Sequence, residues 1–98
     1  MAGRSRYLVT YDIADPRRLR DVHKVVVDFG DQLQYSVYLC DLTPLERVDL
    51  RSKLRTVMHR DEDCISIFDL GPPAGSVWSR VEHLGRAPDL PDDGHAVW

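Results

Sequence analysis

The order of apolar and polar positions divides the chain into short extended runs and two helical stripes. Arg6-Tyr7-Leu8-Val9-Thr10-Tyr11-Asp12-Ile13 is aromatic and β-branched, which predicts a strand. Its near-continuous apolarity predicts a central place in a sheet. Asp15 followed by Pro16 predicts a helix start, a capping carboxylate with proline at the first helical position. Leu19, Val22, Val26 and Phe29 then recur at spacings of three, four and three, one apolar stripe. Gly30 stands where a C-terminal glycine cap belongs, so the first helix is expected over about residues 16–29.

Leu33, Tyr35, Val37 and Leu39 alternate with Gln34, Ser36, Tyr38 and Cys40. That period of two predicts one strand, or two short strands around a bulge. Thr43-Pro44-Leu45-Glu46 fits a capping box. It opens a second helix over residues 44–58, with Leu50, Leu54, Val57 and Met58 facing inward. Asp61-Glu62-Asp63 reads as a solvated loop, with cation binding as the alternative, and Cys64 to Leu70 as a strand with Ile65 and Ile67 on one face. Gly71-Pro72-Pro73-Ala74-Gly75 breaks the chain, and Val77 to Leu84 is expected to form a further strand. The pattern predicts an α+β sandwich over residues 1–85 with both helices on one sheet face, and a tail over 86–98. In so small a protein the other face needs cover, and a second copy of the chain is the simplest cover.

Composition narrows the class. At 98 residues, 43% hydrophobic and 30% charged, the chain reads as one globular domain. No apolar run approaches the roughly 18 residues of a membrane span. The N-terminus lacks the pattern of a signal peptide, so a cytoplasmic protein is expected, with Cys40 and Cys64 buried and free rather than paired. The net charge of −3 is unevenly spread. Residues 1–60 carry eleven Lys/Arg against eight Asp/Glu, whereas residues 61–98 carry two against eight. Eleven of the thirteen basic residues are arginine, the side chain suited to bidentate phosphate contact.

Asp12 is the first candidate for chemistry. Aspartate is depleted in strands, yet it ends a strongly β run, and Asp15 already supplies the helix cap. A turn-forming role and a ligand role both stand. Its parity with Leu8 and Thr10 predicts the face away from Tyr7, Val9 and Tyr11. One carboxylate does not hold Mg²⁺ tightly, because the ion takes one or two protein carboxylates together with phosphate oxygens and water. A two-fold axis near Asp12 would supply a second. Arg17, Arg18 and Arg20 crowd the first turn of the first helix, where the macrodipole disfavours cations. They form either a phosphate site that also uses the free backbone donors or a solvated cluster balanced by Asp15 and Asp21. Arg47, Arg51 and Arg55 recur every four residues. They make either an exposed face relieved by Glu46 and Asp49 or a stripe along a phosphate backbone. Ser36 has no nucleophile-elbow context. His23, His59, His83, His95 and the two cysteines show no metal-ligand spacing.

Taken together, Tyr11-Asp12-Ile13-Ala14-Asp15-Pro16-Arg17-Arg18, Phe29-Gly30, Gln34-Tyr35-Ser36-Val37-Tyr38, Glu62-Asp63-Cys64-Ile65-Ser66-Ile67-Phe68 and Val81-Glu82-His83-Leu84-Gly85 resemble the CRISPR-associated protein 2 family over roughly residues 6–85. The resemblance implies a ferredoxin-like βαββαβ sandwich with an additional C-terminal strand, working as a symmetric homodimer. It implies a role in CRISPR adaptation: binding duplex DNA and supporting spacer acquisition with the CRISPR integrase. Several family members are described as metal-dependent nucleases on RNA or DNA. By that resemblance Asp12 is the catalytic and metal-binding residue, with Mg²⁺ at the dimer axis. Arg17, Arg18 and Arg20 are then nucleic-acid contacts, and Tyr11, Ser36 and Tyr38 surround the site. Tyr38 stands where phenylalanine is common in the family, and Gln32 where a basic residue is frequent. Three readings follow: a DNA-binding adaptation subunit, a Mg²⁺-dependent endonuclease, and a non-catalytic regulatory or adaptor domain of the same fold.

Overall fold

The computed structural model describes residues 3–76 and 78–86. The chain runs β1 (Ser5–Asp12), α1 (Pro16–Val26), β2 (Asp31–Gln34), β3 (Val37–Leu42), α2 (Pro44–Val57) and β4 (Cys64–Asp69), followed by a 3-10 turn at Trp78–Arg80. The four strands form one sheet in the order β2-β3-β1-β4, and every neighbouring pair is antiparallel. β1 is central, as its apolar run predicts. Tyr7, Val9 and Tyr11 point to one face and are buried among Val22 and Val26 of α1 and Leu50 and Leu54 of α2. Tyr38, Cys40 and Leu42 of β3 join them, and Ile65 and Ile67 of β4 pack against the same cluster. Full burial of a leucine such as Leu50 contributes about 1.5–3 kcal/mol.

Local chemistry sets the helix starts. The Asp15 side chain accepts a hydrogen bond from the Arg18 N–H at 3.0 Å, ahead of Pro16. At α2 the Glu46 N–H donates to Thr43 Oγ1 at 3.2 Å, and the Thr43 N–H donates to Glu46 Oε1 at 2.8 Å. This is the reciprocal capping box the sequence predicts. The stretch from Gln32 to Cys40 resolves into two strands joined at Tyr35-Ser36, with a register shift between Gln32 and Gln34.

Four expectations are corrected. The first helix ends at Val26 rather than residue 29, and Val27 caps it through its N–H to the His23 carbonyl. Phe29 still packs against the core from the turn that follows. Gly30 is not a left-handed cap, since the only described glycines with positive φ are Gly71, Gly75 and Gly85. Glycine is needed there because a Cβ would run into the Leu39 carbonyl oxygen and Cys40. Cys64 is exposed, whereas Cys40 is buried, and both are free. Burial, with Asp31 and Asp41 adding to it, pushes the Cys40 thiol up to about 12, so it stays protonated.

The additional strand expected at 77–84 is absent among the described residues: Trp78–Arg80 is a 3-10 turn and residues 81–86 are irregular. Val77, Met1, Ala2 and residues 87–98, nearly all of the expected tail, lie outside the described residues. A strand needs a sheet edge for its ladder. Here Gly71 and Gly75, at φ of 85° and 71°, turn the chain after β4, and the arm crosses a face instead. Arg80 and Val81 meet Leu8, Leu33, Leu39 and Leu70 around a cavity of about 330 Å³. The Arg6 guanidinium donates to the carbonyls of Ala74 and Gly75, both at 3.4 Å, and holds Asp41 at 2.8 and 2.9 Å. Part of the face opposite the helices is therefore covered by the chain itself. No helix among the described residues is long and apolar enough to cross a membrane.

Candidate functional site

Asp12 is the last residue of β1, stands opposite Cys64 of β4 in the register, and is exposed. The alternation along β1 puts Tyr7, Val9 and Tyr11 against the helices. Asp12 accordingly lies on the opposite face, as its parity predicts. The Tyr11 N–H donates to the Ser36 carbonyl at 3.2 Å, which brings the β2–β3 turn beside the Asp12 end of β1. Tyr35 in that turn is 72% exposed. Sequence reasoning did not single it out as a candidate, although an aromatic residue at a hairpin turn is a recognisable signal for contact.

Beneath this end lies a row of aromatic rings. Tyr11 stacks on Tyr38 with centroids 6.3 Å apart, and the Tyr38 hydroxyl is 3.0 Å from His23 Nδ1. Burial first, and Tyr35 second, push the Tyr11 phenol up to about 12, against a hydrogen bond with Tyr38 that lowers it. Tyr11 therefore holds its proton at neutral pH and shapes the site rather than exchanging protons there.

The three arginines opening α1 separate into two kinds. Arg18 Nε donates to Asp63 Oδ2 at 2.8 Å, and its Nη2 donates to Asp63 Oδ1 at 3.2 Å and Glu62 Oε1 at 2.9 Å. Asp63 also accepts from the Ala14 N–H at 2.9 Å and the His59 N–H at 2.8 Å. Its side chain is wholly covered. The Arg18 contact above all, helped by the two backbone donors and opposed by desolvation, holds the Asp63 carboxyl far below the usual carboxylate range. This corrects the reading of residues 61–63 as a solvated loop: Asp63 is a buried fastener between the β1–α1 and α2–β4 connections. It also turns the Arg18 guanidinium inward, whereas Arg17 and Arg20 are exposed. A run of three acids in sequence does not reveal which one is buried.

The sequence-predicted residues are thus brought together only in part. Asp12, Ser36 and the start of α1 share one end of the sheet, whereas Arg47, Arg51 and Arg55 lie along α2 beside a separate groove. His95 lies outside the described residues, and His59 Nδ1 accepts from the N–H groups of Asp61 and Glu62. Among the described residues no group of three or more His, Cys, Asp or Glu side chains could hold a metal. Asp12 is exposed and hard, the ligand type Mg²⁺ takes. One chain supplies it singly, so the donor set suits the ion only when phosphate oxygens, water or a second carboxylate complete it.

These features define a small α+β domain: an antiparallel four-stranded sheet, two helices, and an acidic strand end facing away from them. Residues 5–74 match the family described as CRISPR associated protein Cas2, and the chain belongs to that family. It is 42% identical over 81 residues to a CRISPR-associated endoribonuclease Cas2 of Rhodospirillum rubrum, covering 83% of this chain and 78% of that one. It is 34% identical over 96 residues to the CRISPR-associated endoribonuclease Cas2 of Nitratidesulfovibrio vulgaris, covering 92% and 90%. Among solved structures, Streptococcus pyogenes Cas2 aligns with a TM-score of 0.67 at 38% identity, over 82% of this chain and 99% of that one. A hypothetical protein of Thermus thermophilus aligns with a TM-score of 0.70 at 32% identity, over 88% and 96%.

Proposed function

We propose that the protein is a ferredoxin-like subunit of CRISPR adaptation. In this reading it dimerises symmetrically through the sheet face that carries Asp12, binds duplex DNA, and supports spacer acquisition with the CRISPR integrase. The β-α-β-β-α-β order and the strand order β2-β3-β1-β4 support the fold name. The observation that carries the function is the exposed Asp12 at the end of the central strand, with Arg17 and Arg20 one loop away. Arg17 and Arg20 are exposed side chains near the start of α1, and they take the DNA backbone as forked phosphate donors. Arg18 is left out of that role because Asp63 and Glu62 hold it.

A second reading, phosphodiester hydrolysis, is favoured by the relatives named endoribonucleases. There the Asp12 carboxylates of two copies would hold Mg²⁺. When bound, such an ion lowers the pKa of attached water and stabilises charge on a phosphate. Asp12 binds and orients in that scheme, Arg17 and Arg20 position the strand, and the protonated Tyr11 packs the wall behind them.

The test is Asp12→Asn, which keeps size and removes charge. Cleavage of RNA or DNA in Mg²⁺ is expected to drop to background, and wild type in EDTA is expected to do the same. Duplex binding and integrase binding persist. Arg17→Ala/Arg20→Ala is expected to lower duplex affinity and to flatten its salt dependence by about 0.9 for each phosphate that is no longer neutralised. Cleavage that survives both Asp12→Asn and EDTA removes Asp12 and its metal from the hydrolytic reading. Duplex affinity and salt slope unchanged in the arginine variant remove the DNA contact.

A further inference from the structure

A groove of about 350 Å³ runs between α2 and β4, on the helix side of the sheet and so on the face opposite Asp12. Its floor is apolar: Ile65 and Ile67 of β4, Met58 at the end of α2, and the ring of Tyr7. Its rim carries Arg47, Arg51 and Arg55, on successive turns of α2 about 6 Å apart along the axis. The arginines stand out because the helix's own acids do not neutralise them. Glu46 is taken by Arg4 and by the Thr43 N–H, and Asp49 pairs with Lys53 at 3.3 Å. Among the described residues no carboxylate forms an ion pair with Arg47, Arg51 or Arg55. The Arg47 guanidinium instead sits 5.8 Å over the Tyr7 ring. Asp69, the one acid among the described residues that line the groove, accepts from the Gly71 N–H at 2.8 Å through Oδ1. Three like charges four residues apart repel mildly, and an anion would relieve them.

We propose that this groove binds a single unpaired nucleotide, free as a nucleoside monophosphate or as part of a single strand. An inorganic anion would use the arginines but leave the apolar floor open to water. An apolar peptide would use the floor but leave three guanidiniums uncompensated. A nucleotide satisfies both halves. Its phosphate takes charge-assisted, forked hydrogen bonds from Arg51 and Arg55. Its base lies on the floor and against Arg47, since unpaired bases stack on guanidinium and aromatic planes. Oδ2 of Asp69 adds an acceptor for a base N–H. The volume falls in the range of small-ligand pockets. The site does not depend on Asp12, because the two lie on opposite faces of the sheet.

The experiment is a ¹H–¹⁵N NMR titration of the full chain with adenosine 5′-monophosphate, a (dA)6 single strand, and inorganic phosphate. The first two are expected to shift the amides of Ile65, Ile67 and Asp69, and phosphate to bind at least about tenfold more weakly. Arg51→Ala/Arg55→Ala, at exposed positions that leave the core untouched, is expected to weaken the monophosphate and (dA)6 at least about tenfold. The same variant leaves duplex binding as it was. Shifts by the monophosphate without (dA)6 identify a free-nucleotide pocket, and shifts by both identify a strand site. Groove amides unmoved by either, or phosphate binding as tightly as the monophosphate, overturn the proposal. Loss of (dA)6 binding in Asp12→Asn equal to that in the arginine variant overturns it too, because the strand would then be read at the other face.

Discussion

The Asp63 carboxylate takes four hydrogen bonds, two from Arg18 and one each from the Ala14 and His59 N–H groups. Breaking a covered pair of this kind leaves the partner charge and two backbone donors without acceptors, which is strongly destabilising. The folded carboxyl titrates far below its unfolded value, held there chiefly by Arg18. The native state therefore binds fewer protons than the unfolded chain through the acid range, and stability rises with pH there. This contribution is fully present above the unfolded value of about 4 and fades as pH falls toward the folded one. Asp63→Asn is expected to lower the Tm at pH 7 by on the order of 5–10 °C. The gap between wild type and variant narrows as the pH falls from 5 to 2.5. Thermal melts at these pH values check it, and an unchanged gap would remove Asp63 as the acid-sensitive group. Asp12, by contrast, ends its strand in solvent with no such partners among the described residues, which leaves its carboxylate available to a ligand.

Gly30 joins α1 to β2 at a point where the backbone of β3 leaves no room for a methyl group. Gly30→Ala is expected to cost at least about 2 kcal/mol by overpacking against backbone that cannot swing aside. Urea unfolding should show a lower midpoint with an unchanged slope. A cost of a few tenths would mean that the β2–β3 hairpin shifts freely, contrary to its pairing with β1. Position 30 also marks the boundary between what the sequence tells and what it does not. Asp15-Pro16, the Thr43–Glu46 box and the stripe that begins with Leu50 and Leu54 are local codes, and all were readable. So was the face of Asp12, because strand parity is local as well. Gly30 was readable as a required glycine but not for the right reason, since the clash is with Leu39 and Cys40, nine and ten positions away. The same limit hid Arg18, whose partner is 45 positions distant. It also hid the open charges of Arg51 and Arg55, because sequence spacing does not reveal that Arg4 and Lys53 occupy the neighbouring acids. The strand expected near residue 80 has a strand-like composition but no ladder partner among the described residues.

At the scale of the whole molecule, the uncovered part of the sheet bears on the proposed assembly. The arm after β4 shields Leu8, Leu33 and Leu39. Phe68 remains 50% exposed and stands opposite Leu8 in the register, on the same side as Asp12. An exposed aromatic on a sheet face of so small a protein favours a second copy as its cover. A symmetric pair joined there uses the same patch twice, so two Asp12 carboxylates approach one axis. Without a cation between them they repel, and with one they are bridged. The proposed wild-type dimer is therefore expected to tighten on adding Mg²⁺ and to loosen in EDTA. The Asp12→Asn dimer should ignore both and be at least as tight as the metal-free wild type. Phe68→Glu places new charge on the same face and should give monomers in either condition. Light scattering across a concentration series, with and without Mg²⁺, reads all three. If Phe68→Glu remains dimeric, the copies meet through another surface. If Phe68→Glu is monomeric while wild type and Asp12→Asn respond alike to Mg²⁺, this face is the interface but Asp12 lies away from the axis, and the paired-carboxylate metal site goes with it.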